Sequence, residues 1–217
     1  MLIFLLPCGA FATDTGTPTR YGIDQRNSWI RIYVYRAGLL SLLGHDHLIS
    51  TSAIDGGLTY RSPPSPDAVF KLAIPADGLV VDDPDQRKLV GGRFAGPVAD
   101  KDRDGTRRNM LSAKVLDVAH YPEVTVSGHW IEGSSSHGAV AATIGLRDAH
   151  RQYRVPVDLQ EQNARLVVTG VLHIKQTELG IVPLSILGGM LNVADAVDVR
   201  FSLTFTPLEG VERSNSR

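Results

Sequence analysis

Apolar and polar residues alternate along most of this chain with the two-residue period of β-strands. The clearest example is the segment 197–206, near the C-terminus. Successive side chains in a strand point to opposite sides, so an alternating segment has one apolar and one polar face. The apolar face here carries Val197, Val199, Phe201, Leu203 and Phe205. We therefore predict a final strand with one face buried.

Similar alternation recurs in several earlier segments, and short turns separate most of them. We predict about eight strands and an antiparallel barrel or sandwich. The stretch from Asp77 to Arg107 lacks this pattern and is rich in Gly, Asp and Pro. It contains one predicted short helix at Asp85 to Val90, and a second is predicted at Arg108 to Leu116. The fold class is all-β, with one or two short helices.

The apolar faces of these strands define the predicted interior of the protein. Alternation alone does not distinguish a solid core from a hollow lumen that holds a ligand. If the interior is a lumen, its predicted lining is Ile30, Ile32, Val34, Phe70, Leu72, Ile74, Val140, Ile144, Val168, Leu172, Val199, Phe201 and Leu203.

Composition narrows the functional classes and the compartment. Of 217 residues, 43% are hydrophobic, and 22 Lys and Arg balance 23 Asp and Glu, so charge gives no reason to expect a nucleic-acid partner. Residues 1–12 are apolar and end in Ala10-Phe11-Ala12, typical of a signal-peptidase site. We predict a signal peptide at 1–12, and a periplasmic or secreted protein. The run is short and lacks a basic start, so a truncated signal stays open as an interpretation. The only cysteine, Cys8, would be lost with it.

Two histidines flank an aspartate in the segment Gly38 to Ser50, as His45-Asp46-His47. In an extended segment both imidazoles point the same way, which favours a metal site or a polar ligand contact. Three interpretations are open. The pair could bind a ligand headgroup at a polar end of the lumen, it could begin a metal site completed by His173 or Asp195, or it could order the loop by hydrogen bonds.

Two other patterns point to chemistry only weakly. Carboxylates at Asp100, Asp102 and Asp104 before Gly105 imitate a calcium loop, but Leu111 stands where the bidentate Glu belongs. We predict a solvated charged loop there. Serines such as Ser112 and Ser185 lack the motifs of hydrolase nucleophiles, although distant residues can assemble a triad.

Four stretches together resemble the YceI-like family: Tyr21-x-Ile23-Asp24, Arg108 to Ala113 before Tyr121-Pro122-Glu123, Ile144-Gly145-Leu146 leading to Val155-Pro156-Val157, and Ile174 to Ile181. The resemblance covers nearly the whole mature chain, with a domain at 21–207 and a polar tail at 208–217. It implies a single antiparallel eight-stranded lipocalin-like barrel. It also implies a central cavity that holds a polyisoprenoid or isoprenoid-quinone chain.

The resulting functional hypothesis is an exported, non-enzymatic protein that binds an isoprenoid lipid or quinone and has no further cofactor. Its expected partners are the lipid itself, the envelope membrane in transient contact, and a second copy in a homodimer. One alternative is a metal- or cofactor-dependent redox or enzymatic protein centred on His45 and His47. Another is a structural envelope stress-response module whose core is filled.

Overall fold

Twelve β-strands and two short α-helices make up the computed structural model, which describes residues 17–208. The predicted signal peptide and all of the predicted tail except Leu208 lie outside the described residues. The strands are β1 (Thr19–Ile23), β2 (Trp29–Ala37), β3 (His47–Thr51), β4 (Asp55–Tyr60), β5 (Val69–Pro75), β6 (Val80–Val81), β7 (Glu123–Gly133), β8 (His137–Leu146), β9 (Ala149–Gln162), β10 (Arg165–Lys175), β11 (Ser185–Ile186) and β12 (Leu191–Pro207). The helices are α1 (Pro84–Val90) and α2 (Asp100–Leu111).

These strands close into an antiparallel barrel of eight. β1 and β2 both pair with the same edge of β12, so they form one interrupted barrel strand. β3 and β4 form a second interrupted strand, and β5 and β6 form a third. β7, β8, β9 and β10 follow in order, and β10 pairs with the free edge of β12. The predicted fold class is therefore confirmed.

The barrel has two different ends. Short connections join β4 to β5, β7 to β8 and β9 to β10 at one end, which we call the turn end. At the opposite end, α2 and the residues after it contribute Met110 and Leu116 to the main hydrophobic core. Ile74 and Leu146, on β5 and β8, lie in the same cluster. This second end, which we call the helical end, is closed by apolar packing.

The position of the second helix differs from the prediction. The structure places α2 at Asp100–Leu111, whereas the sequence predicted a charged loop followed by a helix at Arg108 to Leu116. Acidic residues in the first turn and Arg108 in the last turn both interact favourably with the helix dipole. Arg103 also pairs with Asp100 one turn away, at 2.7 Å. These charges stabilise the helix. It was not predicted at this position because its apolar residues do not follow a clear helical pattern.

None of the helices in the described part of the chain has the length and apolarity needed to cross a membrane.

Candidate functional site: an apolar cavity inside the barrel

An interior cavity lies inside the barrel and extends to wall residues at the turn end. The cavity volume is about 160 Å³. Nearly all of the wall is aliphatic or aromatic. Its residues are Ile30, Leu58, Tyr60, Ala68, Val69, Phe70, Leu72, Val126, Trp130, Val140, Ala142, Ile144, Val155, Val157, Leu159, Leu166, Val168, Leu172, Val199, Phe201, Leu203 and Phe205. A cavity of this kind stays dry and favours an apolar guest.

Ten of the thirteen residues predicted to line a lumen lie on this wall. The exceptions are Ile32, Val34 and Ile74. Ile32 pairs with the wall residue Val199, so it faces inward, but it is not on the cavity wall. Ile74 is 4% exposed and belongs to the packed core at the helical end. The apolar faces of the strands therefore extend further than the cavity, and these three predicted lining positions lie off its wall.

Twelve wall residues were absent from the predicted lining. They are Leu58, Tyr60, Ala68, Val69, Val126, Trp130, Ala142, Val155, Val157, Leu159, Leu166 and Phe205. Several of them lie on alternating stretches of β8, β9 and β10, so the same pattern could have predicted that their side chains point inward. Ala68 and Val69 lie where β5 begins. At the end of a strand, the alternating pattern does not predict which side chains point inward.

Two aromatic rings in the wall lie against glycines of the neighbouring strand. Phe201 pairs with Gly170, and a Cβ built on Gly170 would come within 2.6 Å of the Phe201 ring. Phe70 pairs with Gly128 in the same way, at 2.8 Å. The missing side chains leave room for each ring beside the backbone of the adjacent strand. The glycines thus help to set how far the rings project into the cavity.

The turn end of the cavity carries a polar group. Tyr60 lies on the wall, and its hydroxyl donates a hydrogen bond to Glu161 Oε1 at 2.5 Å. Burial raises the pKa of Tyr60 above its ordinary value, and the bond to Glu161 raises it further. The hydroxyl therefore stays neutral at physiological pH. The ring of Tyr21 packs edge-on against that of Tyr60, with centroids 6.2 Å apart.

The structure places His45 and His47 away from this cavity, since neither is a wall residue. The side chain of His45 is exposed, and its ring centroid lies 6.5 Å from that of His47. His47 pairs with Val34, and Val34 pairs with Val197. Val197 is the next inward-facing residue of β12 after the wall residue Val199, on the side toward the helical end. In this structure the histidines do not form a polar end of the cavity.

His47 is instead part of a buried network around Asp82. The carboxylate of Asp82 accepts hydrogen bonds from the Leu48 backbone N–H at 2.8 Å and from Arg87 Nη1 at 2.5 Å. His47 Nδ1 lies 2.6 Å from Asp82 Oδ2. Burial opposes the charged form of Asp82, but these bonds and the charge of Arg87 outweigh it and hold its pKa below the ordinary value. The hydrogen-bonding interpretation of His47 matches this geometry.

Asp46, between the two histidines, has a separate set of partners. Its side chain is buried and accepts two hydrogen bonds from Arg93, at 2.5 and 2.9 Å. The backbone N–H of Arg36 donates a third, at 2.9 Å. Burial acts to raise the pKa of Asp46, and these donors lower it by more. The motif therefore fastens the loop between β2 and β3 to the segment after α1.

The residues proposed to complete a metal site lie elsewhere. His173 Nδ1 is 2.6 Å from Asp198 Oδ1, on the outward face of β10 and β12, whereas His47 faces inward. Asp195 accepts hydrogen bonds from the backbone and hydroxyl of Thr177. Within residues 17–208, no three His, Cys, Asp or Glu side chains group closely enough to hold a metal ion. The structure therefore does not group His173 or Asp195 with His45 and His47.

The remaining chemical candidates have local structural roles. Asp100, Asp102 and Asp104 lie within α2, so the predicted charged loop is a helical turn. The Ser112 hydroxyl donates to the Asn109 carbonyl at 2.7 Å, just after the end of α2. Ser185 lies in the two-residue strand β11.

A closed eight-stranded barrel around an apolar cavity is the architecture of the lipocalin-like barrels that carry one slender ligand. A family model described as YceI-like domain matches residues 21–205. The chain therefore belongs to the YceI-like family, as its sequence motifs indicated.

Solved structures with the same fold include distant relatives from several bacteria. BcnA of Burkholderia cenocepacia has a TM-score of 0.62 at 12% identity, covering 84% of this chain and 98% of that one. A polyisoprenoid-binding domain of Saccharophagus degradans, implicated in plant cell wall breakdown, has a TM-score of 0.58 at 16% identity, covering 87% and 98%. The YceI protein of Campylobacter jejuni has a TM-score of 0.50 at 6% identity, covering 72% and 81%. No curated protein sequence matches the chain.

Proposed function

We propose that this protein is a non-enzymatic carrier of an isoprenoid lipid or isoprenoid quinone in the periplasm or outside the cell. The observation that carries the proposal is the apolar cavity of about 160 Å³ inside a closed barrel. Each apolar CH₂ buried there contributes roughly 0.8 kcal/mol without any directional contact. Membership of the YceI-like family supports this ligand class, as does the polyisoprenoid-binding relative.

The geometry also supports a position for the headgroup. Tyr60 is a wall residue near the turn end, and its hydroxyl lies beside Glu161. Because the Tyr60 hydroxyl donates its only hydrogen to Glu161, it can only accept a hydrogen bond from a ligand. This suits the hydroxyl of an uncharged alcohol better than an anionic diphosphate, which the neighbouring carboxylate also repels. We therefore assign the headgroup to Tyr60 in place of His45 and His47. Transient contact with the envelope membrane belongs to the same proposal, because such lipids reside there.

The two alternatives are less well supported. A filled structural core would leave no cavity of this size among the described residues. An enzymatic role centred on His45 and His47 is not supported by the cavity, because neither side chain lies on its wall.

Native mass spectrometry of the protein purified from an envelope fraction without detergent tests this proposal. We expect a stoichiometric prenyl lipid on the wild-type protein and none on Leu172→Trp, because the indole would fill part of the cavity. Val171→Trp is the matched control, since its side chain lies on the outward face of the same strand and is 40% exposed. Lipid-free wild-type protein, with intact lipid controls, would refute carriage. Equal loading of all three proteins would refute the assigned cavity.

A further inference from the structure

Two neighbouring loops at one edge of the barrel expose large apolar side chains to solvent. They connect β2 to β3 and β10 to β12. The exposed fraction is 90% for Leu39, 85% for Leu42 and 72% for Leu43 in the first loop, and 45% for Met190 in the second. We call these four residues the apolar loop patch. Val182 and Leu184 extend the apolar surface of the second loop, with exposed fractions of 80% and 43%. Contiguous exposed apolar surface of this kind marks an interaction site.

The two loops are fastened to each other, so their tips present one surface. The backbone N–H of Leu40 donates to the Met190 carbonyl at 2.8 Å. Gly38 has a φ of +93°, and a Cβ there would lie 2.5 Å from that same carbonyl oxygen. Gly44 lies directly against the Leu191 side chain. Glycine is thus required at position 38 both for its backbone conformation and for the close approach of the loops.

The charge pattern of this surface fits a lipid bilayer. Residues 37–44 and 180–194 contain no Asp, Glu, Lys, Arg or His, so insertion of the tips desolvates no charged side chain. Next to the first loop stand Arg36 and Arg93, whose side chains are 31% and 53% exposed and share the single buried carboxylate of Asp46. Beside the first loop this leaves one positive charge in excess, whereas Lys175, Glu178 and Asp195 at the base of the second loop sum to one negative charge. The basic side of the rim, next to the leucine tips, is the part that complements anionic lipid headgroups.

A second copy of this chain fits the patch less well. Stable protein interfaces use roughly 20–30 residues on each side. The patch offers four side chains on protruding loop tips, a small fraction of that number. A bilayer requires only shallow insertion of apolar side chains beside basic ones.

We propose that the apolar loop patch docks this protein onto an anionic membrane surface. Leu39, Leu42 and Leu43 enter the boundary between headgroups and acyl chains, and Arg36 and Arg93 face the lipid phosphates. The patch lies at the helical end, where β2 and β10 end and β3 and β12 begin, so the docking proposal does not depend on lipid carriage. The binding itself is a separate property that lipid-free protein also has.

Vesicle flotation of full-length protein stripped of lipid tests the docking surface. The probes are vesicles of phosphatidylcholine alone and vesicles of equimolar phosphatidylcholine and phosphatidylglycerol. We expect the wild type to float with the anionic vesicles, less so at high salt, and the double variant Leu42→Ser with Leu43→Ser to bind at least about tenfold more weakly. Val171→Ser, which removes an exposed apolar side chain from the barrel wall, is expected to bind like the wild type.

Three results would overturn the docking proposal: wild-type protein that floats with neither vesicle, a double variant that floats like the wild type, or a wild-type dimer that the double variant dissociates. The last result would assign the patch to a second copy. Prenyl-lipid content is measured by native mass spectrometry on separate, unstripped samples of the same proteins. Protein that carries lipid but never floats refutes only the docking, and protein that floats but carries no lipid refutes only the carriage.

Discussion

Asp82 is the residue whose environment leaves the least freedom for substitution. Its side chain is fully buried and bonded to β3, to His47 and to Arg87 of α1. Removing one member of a buried charged pair leaves the other without compensation, which costs more than the net contribution of the pair. The carboxylate therefore holds α1 and the histidine segment together.

The substitution Asp82→Asn isolates the charge of this side chain. Asp82 has a φ of +52°, a conformation that Asn also tolerates, so the backbone is little affected. We expect the free energy of unfolding to fall by about 3 kcal/mol, because Arg87 loses its buried anion. Asp158→Asn is the control, because the His137–Asp158 pair is exposed and its loss should cost less than about 1 kcal/mol. Urea denaturation measures both, and equal losses would contradict this role of Asp82.

The same pair of proteins gives a pH dependence with a definite sign. The pKa of Asp82 is lower in the folded protein than its ordinary value. A depressed carboxyl pKa contributes stability above the unfolded-state pKa of about 3.9, and this contribution is lost as the pH falls through the lower folded-state value. The difference between wild type and Asp82→Asn should therefore shrink as the pH falls below about 4. A difference that grows on acidification would reverse the assigned sign.

For individual residues, the sequence predicted which side chains are chemically unusual better than it predicted their contact partners. His45, Asp46 and His47 were recognised as unusual, and their extended spacing was correct for His47 at the start of β3. Their partners Asp82 and Arg93 lie more than thirty residues further along the chain. No local pattern links the two segments, because the contact depends on how β6 and α1 lie against β3.

At the scale of elements, the cross-strand pair of Gly170 on β10 and Phe201 on β12 limits the width of the cavity. Gly170→Ala would place a methyl group 2.6 Å from the present ring position, so the ring must turn into the cavity. The nearby Pro156 carbonyl, at 2.8 Å, leaves the methyl group little other room. We expect retention of prenyl lipid to fall about tenfold or more, while overpacking destabilises the fold by about 1–3 kcal/mol.

A second substitution separates a blocked cavity from a damaged barrel. Combining Gly170→Ala with Phe201→Leu shortens the side chain that the methyl group displaces, so lipid retention should recover in large part. Native mass spectrometry measures retention, and circular dichroism checks that all variants fold. If the double variant stays empty although it folds, the ring of Phe201 is not what closes the cavity.

Elements with a strong alternating pattern were predicted well, and those stabilised by charge were not. β12 was recognised because its apolar residues are inward over the whole pairing with β2 and β10. The predicted start of α2 was about two turns too late, because this helix is stabilised by terminal charges and by only a few apolar contacts. Periodicity detects burial, and α2 buries little beyond Met110.

At the scale of the whole molecule, the sequence predicts the closure of the barrel more directly than it predicts the extent of a cavity inside it. The strand number and the YceI-like motifs together predicted the closed barrel. The extent of the cavity depends on how side chains from all eight strands meet across the interior, which no single strand encodes. Ile32, Val34 and Ile74 share faces with true wall residues yet lie off the cavity wall.

A dry cavity also makes the stability of the whole molecule depend on its ligand. A ligand that binds only the folded state stabilises it by RT ln(1 + [L]/Kd), about 2.7 kcal/mol at a hundredfold excess over Kd. For a chain of this size that corresponds to a rise in Tm of roughly 5–10 °C. We expect this rise when lipid-stripped wild-type protein is mixed with a long-chain polyprenol, and little change with Leu172→Trp, measured by differential scanning calorimetry.

The control is Val171→Trp, whose side chain lies on the outward face of the same strand. It must respond like the wild type, because its side chain takes up no volume in the cavity. A wild-type Tm that does not move, at polyprenol concentrations that raise the Tm of a known prenyl-binding barrel, would mean that the cavity does not accept this lipid class.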